Sequence, residues 1–195
     1  MIMKNKWNTT TVSAKNAASA AASLPEGSRA GKLSLKKMVF TAMLACLGFV
    51  LNTFVWFPHM APFQHFCNVM GAVFLGPWYN FIAALLTGCM RVALVGCDFQ
   101  AVIGAIFGAL LSGILYRKTH KLWAAWVGEV IGTGFISAVL ASVIFNLALH
   151  IKYAIFYLIP YYGPASAMGA TLAIAVLLVL KRSKALPKMQ AQLNK

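Results

Sequence analysis

Apolar positions in this chain do not alternate with polar ones. They gather into six runs, at residues 37–57, 62–75, 78–95, 99–116, 122–149 and 153–180, separated by short breaks of Pro, Gly and charged residues. A helix rises 1.5 Å per residue, so about 20 apolar residues cross roughly 30 Å of hydrocarbon. The pattern therefore predicts an all-α membrane protein, a bundle of six transmembrane helices. The second run is short, which is tolerated where the start of a helix is buried in protein. Trp56-Phe57-Pro58-His59 marks the exit of the first run at a membrane interface. Pro160 and Gly163-Pro164 break the start of the sixth, whose continuous apolar part begins near Ala165. Residues 1–36, rich in Ala, Ser, Thr, Asn and Lys, cannot bury a core and read as a disordered basic tail. Residues 37–184 form the membrane domain, and 185–195 a second tail.

Composition agrees with this reading. Hydrophobic residues make up 61% and charged ones 10%, against roughly 25% charged in a soluble domain. The net charge of +14 comes from 17 Lys and Arg against 3 Asp and Glu. These cations are not spread as a nucleic-acid groove. They sit in the N-terminal tail, at 117–121 and at 181–184, which fall on one side of a six-span topology. The positive-inside rule makes that side, with both termini, cytoplasmic. The 62–68 segment, the Asp98 loop and the Tyr-rich stretch 153–162 then converge on the opposite face. The four cysteines lack metal or CxxC spacing and read as small packing residues.

Candidate chemistry begins at Pro62-Phe63-Gln64-His65, where helical spacing puts Gln64, His65 and Asn68 on one face. Polar groups in such a greasy segment face protein or ligand, because lipid cannot hydrogen-bond them; a plain interfacial helix start is the bland alternative. Arg91 and Glu129 are the clear intramembrane charges, each costing at least about 2.5 kcal/mol unpaired, so both are expected to face the interior. Glu129, Thr133 and Ser137 draw a polar stripe at four-residue steps. A height offset of roughly 9 Å between Arg91 and Glu129 means that a direct pair needs staggered helices. Together they read either as a polar cavity floor or as a structural charge network. Gly104, Gly108 and Ser112, and Gly128 and Gly132, form ladders that let membrane helices touch closely. Gly27-Ser28-Arg29-Ala30-Gly31-Lys32 has the wrong spacing for a phosphate loop, and Gly132-Thr133-Gly134 lies mid-helix, so neither is a nucleotide site. The absence of HExxH, GxSxG, paired carboxylates and a metal cluster points away from an enzyme.

Pro62-Phe63-Gln64-His65 with Asn68-Val69, Leu75-Gly76-Pro77-Trp78-Tyr79, the lone Arg91 and Trp126-Val127-Gly128-Glu129-Val130-Ile131-Gly132-Thr133-Gly134 resemble the ThiW family over about residues 36–184. That family is a substrate-binding S component of energy-coupling-factor (ECF) vitamin transporters, associated with the thiazole precursor of thiamine. The resemblance implies a six-helix protein that binds its ligand from outside. It implies as partners a transmembrane coupling subunit and two ABC-type ATPases, which use the ATP, so that this chain needs no cofactor. The related AxxxA docking pattern on the first helix is degenerate here, as Thr41 with Ala45 and Ala42 with Cys46. The chain departs from the family pattern after Arg91, with Val92, Gly96-Cys97-Asp98-Phe99-Gln100 and Val102-Ile103-Gly104. This segment is expected beside the ligand, and its Asp98 suits an amine or a cationic ring.

These readings converge on an ATP-driven importer's binding subunit in the bacterial cytoplasmic membrane, for hydroxyethylthiazole or a related small ring. A small aromatic ligand needs apolar walls and a few placed polar groups. Phe63, Phe99, Tyr153 and Tyr157 are the candidate walls. Gln64, His65, Asn68 and Gln100 are the candidate hydrogen-bonding groups, with Arg91, Asp98, Glu129 and Thr133 around them. His65 is expected to point into an outward-facing cavity. A self-sufficient secondary carrier or channel with Glu129 as proton relay is the rival from another class, and a ligand-free scaffold is the third reading.

Overall fold

In a computed structural model of the chain, residues 34–55, 61–148, 150 and 154–194 are described. The expected tail before residue 34, the Trp56–His59 exit and Tyr153 lie outside them. The described residues form helices without strands. They are α1 (Leu35–Phe54), α2 (Pro62–Phe74), α3 (Pro77–Val95), α4 (Gln100–Thr119), α5, α6 (Ile159–Arg182) and α7 (Ala185–Leu193). α5 is one rod in three pieces: α-helical over Leu122–Ile131, π-helical over Gly132–Ser137, and α-helical again over Ala138–Ala148. Five of these rods, α1 and α3 to α6, are long and apolar enough to cross a membrane. α2 has 13 residues, about 20 Å of helix, and is the short member that the apolar run at 62–75 predicts.

Local chemistry sets the ends. Pro62 and Pro77 open α2 and α3 in their first turns, where the missing N–H has no intrahelical role and the fixed φ suits a helix. Gly76 separates the two with φ of 79°, a conformation that a side chain would oppose. At the far end of α3, Gly96 turns left-handed (φ 72°), and its N–H and that of Cys97 return to the Arg91 carbonyl. Arg117 and Lys118 lie in the last turn of α4, favourably placed against the negative end of the helix dipole. α6 departs from the expected start near Ala165. It begins at Ile159 and runs through Pro164, because a proline in the second turn forfeits a single intrahelical bond and Gly163 before it is unobstructed.

The core forms around α2. Val69, Ala72, Val73 and Phe74 pack with Leu44 of α1, Ala125 of α5, and Ala170, Ala173 and Leu177 of α6. The glycine ladders pack as expected. A Cβ on Gly128 would lie 2.6 Å from Ser112 Cα, and one on Gly132 would lie 2.7 Å from Gly108 Cα, so α4 and α5 meet backbone to backbone. Residues after 184, read as a tail from sequence, form α7. Its Leu186 is buried, and Gln190 Nε2 donates to the Val73 carbonyl (2.9 Å) and the Tyr116 hydroxyl (3.1 Å). The Val73 carbonyl is at the C-terminal turn of α2, where helix carbonyls lack intrahelical partners.

Candidate functional site

Asn68 stands at the centre of the polar interior, one turn inside α2. Its Nδ2 donates to the Ala105 carbonyl (2.9 Å) and to Glu129 Oε1 (2.9 Å), and its Oδ1 accepts from Gln64 Nε2 (3.4 Å). Glu129 Oε1 also meets His65 Nδ1 (2.9 Å) and the Thr133 hydroxyl (3.0 Å). Asn52 extends the line, donating to Gln64 Oε1 (3.5 Å) and to the Gly48 carbonyl (2.6 Å). α1, α2, α4 and α5 are thereby joined through one network whose polar atoms are withdrawn from solvent, where each hydrogen bond counts for more than it would in water. Gly108 makes room for it: a Cβ there would lie 2.7 Å from Glu129 Oε1. The π-helical turn widens α5 beside this point and carries Thr133, and such turns recur at functional sites.

A cavity of about 440 Å³ lies against the network. Gln64, His65 and Thr133 face it from the bundle interior, Asn52 from α1, Arg91 from α3, and Asp98 and Gln100 from the α3–α4 connection and the start of α4. The volume falls in the range of small-molecule sites. Six of the nine ligand-contact residues expected from sequence thus line one chamber, and the divergent segment after Arg91 borders it.

The other three do not. Asn68 and Glu129 stand one layer behind, holding Gln64, His65 and Thr133. Tyr157 lies in the turn before α6, is nearly half exposed (45%) and packs at a tilt against Tyr161, with ring centroids 5.7 Å apart and planes inclined by 49°. Phe63 and Phe99 do not line the cavity either; Phe99 is 69% exposed. Tyr161 and Tyr162 provide the aromatic wall instead, because α6 starts at Ile159 and its first turn carries them inward. The Tyr162 ring rests on Gly104, whose added Cβ would be 3.3 Å away.

Glu129 and Arg91 do not pair. Glu129 takes His65 as its partner (2.9 Å) and is wholly buried, whereas Arg91 is half-buried in the cavity wall without an ion pair among the described residues. Both face inward, as the membrane cost of a charge demands.

Sequence reasoning missed Asn52 and Asn80. Asn80 is buried and donates to the carbonyls of Asn68 (2.8 Å) and Ala109 (2.8 Å), tying α3 to α2 and α4. Each is a lone amide inside an apolar run, the same signal that flags Gln64 and Asn68. Of the four small residues on α1, Thr41 and Ala45 are buried against the bundle, the Ala45 carbonyl accepting from Thr87 (3.2 Å). Ala42 and Cys46 stay on the outer face, whereas Thr41 and Ala45 lie on the internal seam.

Membrane-length helices wrapped around a polar chamber define the class: a multi-pass membrane protein with an internal polar cavity. The chain belongs to the ThiW family, the thiamine-precursor transporter proteins, whose sequence pattern matches residues 38–183. No curated protein matches the chain.

Proposed function

We propose that this protein is the substrate-binding S component of an ECF-type importer for a thiamine precursor, hydroxyethylthiazole or a closely related small ring. In this reading six helices span a bacterial cytoplasmic membrane, α2 among them, with both termini inside and the cavity open to the outside. The chain is not an enzyme and binds no ATP. A transmembrane coupling subunit and two ABC-type ATPases supply the energy and dock on the outer face of α1 at Ala42 and Cys46. The observation that carries the reading is the roughly 440 Å³ cavity, with the Tyr161 and Tyr162 rings on one side and Gln64, His65 and Arg91 presented to it. Aromatic walls hold a planar ring and the few polar groups orient it. Asp98 at the same cavity suits a ring that carries positive charge.

The test is uptake of labelled hydroxyethylthiazole into vesicles containing this chain with its coupling subunit and ATPases. Uptake that requires ATP and the partners supports the proposal; uptake unchanged by ATP depletion sinks it. The buried His65–Glu129 pair favours a second reading, a proton-coupled carrier, since intramembrane His and carboxylate pairs serve as proton relays. Loss of transport when the proton gradient collapses while ATP persists would establish that reading instead.

A further inference from the structure

Glu129 never reaches the cavity, yet it orients the side chains that do. Its Oε1 is met by His65 Nδ1, Asn68 Nδ2 and the Thr133 hydroxyl at 2.9, 2.9 and 3.0 Å. The direction of these bonds follows from chemistry. Asn68 Nδ2 also touches the Ala105 carbonyl, which can only accept, so that end of the amide is the NH2 group. Oε1 is therefore an acceptor for Asn68, and as a carboxylate oxygen, which can only accept, it takes its second bond from a protonated ring nitrogen, His65 Nδ1–H. With Nδ1–H held by Glu129, the other ring nitrogen is determined by elimination: His65 Nε2 has no partner among the described residues and is not among the enclosed unpaired atoms. His65 lines the cavity. Gln64 has its amide engaged at both ends, by Asn68 and Asn52. In the inner part of the chamber, His65 Nε2 is therefore a polar atom free to meet a ligand.

We propose that Glu129 is a positioning residue, which holds the His65 ring so that Nε2 faces the cavity, and that the ligand meets this nitrogen with a hydroxyl group. Nε2 carries a lone pair when the ring is neutral and an N–H when it is charged. A hydroxyl pairs with either form, whereas a carbonyl or an ether pairs only with the second. The proposal rests on the reading of this cavity as the ligand site and names the chemistry of one end of the ligand.

Calorimetry on the purified chain with 4-methyl-5-(2-hydroxyethyl)thiazole and its 5-ethyl counterpart tests it. Wild type is expected to bind the ethyl compound about tenfold to a hundredfold more weakly, the loss from one unpaired buried group. Glu129→Gln keeps an acceptor for His65 and retains that discrimination. Glu129→Met removes the acceptor, and the ratio collapses toward unity. Equal wild-type affinities for the two compounds overturn the proposal. A readout without any Glu129 variant comes from nitrogen-15 spectra of the imidazole in a chain carrying His59→Asn, His120→Asn and His150→Asn. A single ring form protonated at Nδ1 is expected before ligand is added, and mixed tautomers overturn the positioning role. Failure of both thiazoles to bind sinks the thiazole reading of the site, while the ring spectrum still decides the role of Glu129.

Discussion

Of the 20 residues of α1 five are buried, whereas ten of the 13 in α2 are. The two helices are neighbours in sequence and both are built mostly of apolar residues, so apolar content does not separate them. Position does. α1 turns Met43, Leu47 and Val50 outward and gives the bundle only a narrow seam of Thr41, Leu44, Ala45, Gly48 and Asn52. α2 is wrapped by α1, α3, α4, α5 and α6, and keeps Gln64, His65 and Asn68 where lipid never meets them. A membrane helix can carry amides and an imidazole when protein surrounds it, because neighbouring helices then supply the hydrogen bonds that lipid cannot. The outer helix, facing hydrocarbon, keeps its polar atoms on the seam or bonds them back to its own backbone, as Thr53 does to the Phe49 carbonyl (2.8 Å).

Substitutions break this contrast to different degrees. Asn68→Leu in α2 is expected to have the largest effect. It removes a donor from the Glu129 carboxyl and leaves Gln64 and the Ala105 carbonyl unmatched, for about 3–5 kcal/mol in total. A large fall in unfolding midpoint in detergent checks this, and a midpoint within a degree or two of wild type refutes it. Gly132→Val follows, at about 1–3 kcal/mol, since the added carbons meet the Gly108 and Phe107 backbone, which must move apart. Crosslinking between cysteines placed on α4 and α5 reads the separation directly.

His65→Ala belongs next. Ligand binding should weaken about tenfold to a hundredfold while the protein still inserts, as measured by calorimetry on the folded variant. Unchanged affinity would make the polar cluster of α2 a structural cap only. On α1, Val50→Ala is expected to shift stability by less than about 0.5 kcal/mol, as exposed positions do. Ala42→Trp on the same outer face sharpens the contrast from the other side. Ligand binding by the isolated chain should persist, and uptake with the coupling subunit should fail. Uptake at the wild-type rate would place the partner elsewhere.

Much of this protein could be read from the order of its residues. Run length predicted membrane-crossing helices and a short one at 62–75, because the hydrocarbon thickness sets helix length whatever the neighbours are. The small-residue ladders announced close helix contacts, since only small residues permit them, and Gly108, Ser112, Gly128 and Gly132 meet where α4 and α5 touch, while Gly104 receives Tyr162 of α6. Polar residues in apolar runs singled out Gln64, His65, Asn68, Arg91, Glu129 and Thr133 for the same energetic reason. What no local pattern contains is which of them meet. Spacing raised only Arg91 as a partner for Glu129, at a height offset; that His65 takes the place follows from the crossing of α2 against α4 and α5. The inward turn of Tyr161 and Tyr162 depended on where α6 starts, and the close fit of the Tyr162 ring on Gly104 exists only in the folded bundle. Likewise, whether Thr41 or Ala42 faces outward on α1 follows from the rotation of that helix, which its contacts with α2 and α3 impose. Distances along one helix are set by the backbone, and distances between helices only by the folded bundle.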